Sequence, residues 1–134
     1  MKVGILSFQG SFLDHSKSIH ELGYESLLIK QSKDLTSVDA LILPGGESTA
    51  MKKINQFSNL LSDVDRLIKD GVPTLTTCAG TILLAKEVID GEVTIPNIDI
   101  EVTRNAYGRQ TESFEGSVKF FENEDIYCFI RAPK

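Results

Sequence analysis

The sequence has little cysteine, little histidine and no excess of positive charge, and each shortage narrows what the chain does. Two cysteines, Cys78 and Cys128, form no disulfide framework, which points to a reducing, cytoplasmic setting. Fourteen Lys and Arg stand against 19 Asp and Glu, for a net charge of −5; nucleic acid and anionic membrane are thereby excluded as main partners. No apolar run approaches the ~20 residues of a membrane span, and Met1-Lys2-Val3-Gly4-Ile5-Leu6 is too brief for a signal peptide. Repeats, low-complexity tracts and linkers are also missing. What is present, 134 residues at 41% hydrophobic and 25% charged, suffices for one soluble domain with a real core.

The first half alternates strand and helix. Residues 3–8 read as a near-continuous apolar strand, 9–11 as a turn, and 12–22 as a helix with Phe12, Ile19 and Leu22 inward. Further strands are predicted over 25–30 and 39–43, and a helix over 57–69 with Leu60, Leu61, Val64, Leu67 and Ile68 on one face. Buried strands separated by helical runs imply a mostly parallel sheet with right-handed crossovers. Ligands then lie outside the carboxyl ends of the strands.

Two loops qualify for that position. In Pro73-Thr74-Leu75-Thr76-Thr77-Cys78-Ala79-Gly80-Thr81, a β-prone run turns at Cys78 into a helix-prone run. Such an elbow raises its turn residue to the sheet edge, where the helix N-terminus favours the thiolate and its N–H groups can receive an oxyanion. A buried, inert cysteine is the competing reading. The second loop, Pro44-Gly45-Gly46-Glu47-Ser48-Thr49, has paired glycines that free the backbone to turn and bring N–H groups close to a ligand. Ser48 or Thr49 is expected to cap the following helix, with Glu47 beside the cap; a purely structural turn-and-cap explanation is also open.

After Gly91 the pattern becomes β-rich, over 98–102, 113–121 and 126–131, with Cys128 reading as a strand-core residue. Arg104 and Arg109 lie in a polar loop, where arginine suits a carboxylate through paired N–H bonds.

Several stretches resemble one family. Ile5-Leu6-x-x-Gln9-Gly10, Pro44-Gly45-Gly46-Glu47-Ser48-Thr49, Thr77-Cys78-Ala79-Gly80, Arg104-Asn105-x-Tyr107-Gly108-Arg109-Gln110-x-x-Ser113-Phe114-Glu115 and Phe129-Ile130-Arg131-Ala132-Pro133 occur in the order found in the glutaminase subunit of pyridoxal 5′-phosphate synthase, a class I glutamine amidotransferase. The resemblance implies a three-layer α/β/α, flavodoxin-like fold with a mostly parallel sheet. It implies hydrolysis of L-glutamine to glutamate and ammonia, with the ammonia passed to a (β/α)8-barrel synthase subunit, and no metal or cofactor of the glutaminase's own. By matching motif, Cys78 is the nucleophile; Gly46, Glu47 and Ser48 line the glutamine site; Gly46 and Ala79 donate to the oxyanion; and Arg104, Ile130 and Arg131 reach the substrate.

Two features depart from the family. Thr76 stands where the elbow has its first glycine, so the turn either shifts or absorbs a β-branched residue by repacking. The family's histidine base and its glutamate lie beyond the Arg-Ala-Pro stretch, whereas this sequence has only His15 and His20, both read as surface or helix-end residues. Residues 1–134 are therefore expected to be an incomplete glutaminase domain that lacks C-terminal strands and a helix and is inactive as it stands. The alternative is a non-catalytic module that only binds the synthase.

Overall fold

The computed structural model describes residues 1–130 and 133–134, with Gln110 described by its backbone alone. Four strands form one parallel sheet: β1 (Lys2–Leu6), β2 (Glu25–Ile29), β3 (Ala40–Leu43) and β4 (Thr74–Thr76), in the order β2-β1-β3-β4. The direction of strand addition reverses between β1 and β3, and the loops after these two strands diverge to leave a crevice at their carboxyl ends.

Helices cover both faces, as the α/β/α expectation requires. α1 (Phe12–Glu21) lays Phe12 and Ile19 on Val3, Ile5 and Ile42. On the opposite face, α2 (Ser48–Ser58), α3 (Leu60–Lys69) and α4 (Ala79–Leu84) bury Met51, Leu60, Leu61, Val64, Leu83 and Leu84 against Leu6, Ile29 and Leu43. Each fully buried side chain of this kind contributes about 1.5–3 kcal/mol relative to exposure. Among the described residues, no helix is long and apolar enough to cross a membrane.

Several expectations need correction. Leu22 is exposed because α1 closes at Glu21 and the chain turns away. The helix expected over 57–69 is two: Asn59 adopts φ 51° and breaks it, the Asn55 side chain accepts the Leu61 N–H at 2.8 Å, and Phe57 ends α2 in solvent. The face formed by Leu60, Leu61 and Val64 is buried as expected. The crossover from β2 to β3 contains only a 3-10 turn, Ser32–Ser37, which buries Leu35. Its Asp34 carboxylate accepts the N–H groups of Lys30 and Gln31.

Beyond the main sheet, β5 (Ala85–Ile89) follows α4 directly and pairs in parallel with β6 (Ile98–Thr103). β7 (Phe114–Phe120) and β8 (Asn123–Phe129) form an antiparallel hairpin. Tyr107 packs on Phe114 and Phe129, whose rings stack at 4.9 Å, and this fixes the arginine-bearing loop to the hairpin. Cys128 points away from that aromatic face and is exposed opposite Glu115, not buried in a strand core. Lys134 exchanges backbone hydrogen bonds with Thr103, so the chain returns to the end of β6 beside Arg104.

Candidate active site

β4 ends at Thr76, and the chain turns through Thr77 and Cys78 into α4. Cys78 holds φ 44° and ψ −106°, a conformation that costs a non-glycine residue on the order of 1–3 kcal/mol. Surrounding bonds impose it: Thr77 N–H donates to the Leu43 carbonyl at 3.1 Å, Gly80 N–H to the Thr77 carbonyl at 2.9 Å, and Ile82 N–H to the Cys78 carbonyl at 3.1 Å. Gly80 lets α4 press onto β3, since a Cβ there would run into the Leu43 carbonyl. The Cys78 thiol is left exposed at the sheet edge. Thr76 is absorbed by pairing, its hydroxyl lying 2.8 Å from that of Thr81 in the first turn of α4.

The loop after β3 faces this elbow. Neither of its paired glycines has positive φ; Gly46 serves close approach, since a Cβ there would press on the Gln9 side chain and carbonyl. Ser11 N–H donates to the Gly45 carbonyl at 3.1 Å, and Glu47 N–H to Gln9 Oε1 at 2.6 Å. Glu47 itself caps α2, its carboxylate accepting Thr49 N–H at 2.9 Å and Ala50 N–H at 2.8 Å; Ser48 and Thr49 already lie inside the helix. Among the described residues, neither the Gly46 amide nor the Ala79 amide has a protein partner. For Ala79 this follows from its place at the first position of α4.

Arg104 closes the third side. Its guanidinium donates to the Thr49 hydroxyl at 3.2 Å and lies 3.7 Å from the Glu47 carboxylate. Burial raises the Glu47 carboxyl, but the N–H groups of Thr49 and Ala50, the Thr49 hydroxyl and the Arg104 charge outweigh it and hold the group below its ordinary range. Behind them, burial pushes the Lys52 ammonium down; Glu92 opposes this and Arg104 adds to it.

These elements enclose a cleft of about 200 Å³, lined by Gln9, Gly46, Glu47, Ser48, Cys78, Ala79, Ile82, Arg104, Asn105 and Ile130. Its size suits a small metabolite better than a drug-sized molecule, whose pockets begin near about 300 Å³. Seven of the eight residues singled out in the sequence thus meet in one place; Arg131 lies outside the described residues. Gln9, Ile82 and Asn105 had no assigned role, although a crevice flanked by the β1 and β3 loops calls for Gln9. Nor did sequence reasoning find the link from His15 Nε2 to the Thr77 hydroxyl, at 3.4 Å. An exposed thiol that shares a cleft with two unpaired amides, with a cation and an anion nearby, has the groups that acyl transfer from a zwitterionic substrate would use.

The chain is 43% identical over 139 residues to the pyridoxal 5′-phosphate synthase subunit PdxT of Corynebacterium jeikeium, covering 100% of this chain and 71% of that protein. It is 46% identical over 136 residues to the PdxT subunit of Tropheryma whipplei, covering 100% of this chain and 72% of the relative. The crystal structure of a glutamine amidotransferase superposes with a TM-score of 0.85 at 36% identity, over 98% of this chain and 71% of that one. Residues 5–134 match the SNO glutamine amidotransferase family, and the chain belongs to it.

Proposed function

We propose that the chain is the glutaminase subunit of a pyridoxal 5′-phosphate synthase, hydrolysing L-glutamine to L-glutamate and ammonia, and that the ammonia passes to a (β/α)8-barrel synthase subunit. The observation that carries this reading is Cys78, a strained and exposed residue that lines one cleft with Gly46 and Ala79, whose amides are unpaired among the described residues. A module that only docks on a synthase has no use for such an elbow, because strain of this kind persists where a function needs it.

In this reading the Cys78 thiolate bonds to the side-chain amide carbon of glutamine, and the carbonyl electron pair moves onto oxygen, where the Gly46 and Ala79 N–H groups receive it. Collapse of the adduct re-forms the carbonyl and breaks the C–N bond; the nitrogen takes up the proton that the thiol gave to solvent on ionising and leaves as ammonia, and a glutamyl thioester remains. Water then adds to the thioester, the C–S bond breaks, and glutamate departs as the thiol is restored. Arg104, with Ile130 and Arg131, reaches the substrate, its guanidinium matching the α-carboxylate in charge and in paired donors. Gly46, Glu47 and Ser48 form the opposite wall, and the ionised Glu47 suits the substrate ammonium. His15 bonds to Thr77 and His20 to Ser26, so neither is assigned the transfer of protons at Cys78.

The test is acid quenching of the chain with glutamine, followed by peptide mass analysis. A glutamyl adduct on the Cys78 peptide, absent in Cys78→Ala, supports the reading; an adduct on another residue that persists in Cys78→Ala removes Cys78 as the nucleophile.

A further inference from the structure

One hydroxyl joins three of the segments around the cleft. Thr77 Oγ1 accepts the Gly45 N–H at 2.8 Å and lies 3.4 Å from Nε2 of His15, which α1 carries half-buried toward the elbow. Thr77 immediately precedes Cys78, and Gly45 immediately precedes Gly46. The same oxygen therefore ties the residue before the thiol to the residue before the Gly46 amide. A threonine hydroxyl has one proton and two lone pairs. With a lone pair engaged by Gly45, the proton needs an acceptor, and an unprotonated imidazole nitrogen is the neighbour that supplies one.

We propose that His15 is a positioning residue for the reaction: its Nε2 accepts the Thr77 hydroxyl proton, aims the Thr77 lone pair at Gly45, and so holds the Gly46 amide in register with Cys78. This rests on the glutaminase reading. The 3.4 Å separation is long, as hydrogen bonds around catalytic groups are before the substrate complex tightens them. His15 is assigned no direct action on Cys78, since it does not line the cleft. A threonine turned the other way would leave Gly45 to its remaining bond with Ser11, and the loop would be free to shift relative to the elbow.

The experiment measures Cys78 alkylation by a glutamine-mimicking chloroketone, in which attack at the carbonyl draws on the oxyanion amides, and by iodoacetamide, in which it does not. His15→Ala is expected to lower the limiting chloroketone rate about tenfold, the effect of one hydrogen bond, with the half-saturating concentration and the iodoacetamide rate unchanged. His15→Gln, whose amide oxygen can reach the place of Nε2, should restore the rate. In a Thr77→Val background, His15→Ala should add nothing further. An unchanged rate in His15→Ala, failure of His15→Gln to rescue in a chain with a native thermal melt, or additive effects in the double variant would overturn the proposal. If iodoacetamide labels wild-type Cys78 while the chloroketone does not, the glutaminase reading itself fails, and the proposal with it.

Discussion

The guanidinium of Arg104 lies 3.7 Å from the carboxylate of Glu47 while donating to the Thr49 hydroxyl at 3.2 Å. The cation proposed to grip the substrate is thus held in advance by the N-terminal turn of α2. Its stem is held as well, lying so close over Gly91 that a Cβ on that glycine would crowd it. Such anchoring reduces the ordering that substrate binding must impose on a long side chain.

For this reason Arg104→Ala should weaken glutamine binding. Loss of a charge-assisted contact costs on the order of 1.5–3 kcal/mol, or about ten- to a hundred-fold in affinity. Calorimetry in a Cys78→Ala background measures it without turnover. Arg109→Ala is the control and should matter less, since Arg109 does not line the cleft. A thermal melt separates the two roles: unchanged affinity removes Arg104 from the substrate site, and a collapsed transition would instead give it a structural one.

Glu47 makes stability depend on pH. Its carboxyl is held below the ordinary range in the folded chain, so its contribution is fully present above the unfolded value of about 4.3 and is lost as pH falls through the folded one. Glu47→Gln should destabilise at pH 7 by about 0.3–1 kcal/mol, the worth of a charge at a helix N-terminus. The gap between wild type and variant should narrow as pH falls below about 4.3 and close only below the depressed folded-state value, where both side chains are neutral. Urea midpoints across this range test it; a gap independent of pH would show that the charge plays no part.

Gly80→Ala should be destabilising by about 1–3 kcal/mol or more, as overpacking is, because the new methyl meets the Leu43 carbonyl and not a movable side chain. Relief of that clash would displace α4 from β3 and take Cys78 with it. A lowered melting temperature together with slower Cys78 labelling is therefore expected. Slower labelling at unchanged stability would contradict the packing account.

Much of this arrangement was legible in the sequence because it depends on local order. The parallel sheet follows from buried strands alternating with helical runs, and the elbow from a β-prone run meeting a helix-prone run at Cys78. Side chains that answer to distant partners were not legible. Glu47, not Ser48 or Thr49, caps α2 because its N–H is tied to Gln9, 38 residues away. Asn59 ends α2 and starts α3 just before the apolar face, inside a run that reads as one helix from Phe57 onward. Cys128 sits in a run that looks like a core strand, yet its hairpin packs only the face bearing Phe114 and Phe129. His15 looks like one more polar residue on α1 until the elbow, 62 residues later, is folded against it.

Labelling of the two thiols tests the central claim most directly, because both cysteines are exposed and only one belongs to the cleft. Iodoacetamide should modify both. A glutamine-mimicking chloroketone should modify Cys78 much faster than Cys128, and added L-glutamine should protect Cys78 alone. Equal chloroketone rates at the two positions, or labelling of Cys78 that glutamine does not slow, would contradict the assignment of this cleft as the glutamine site.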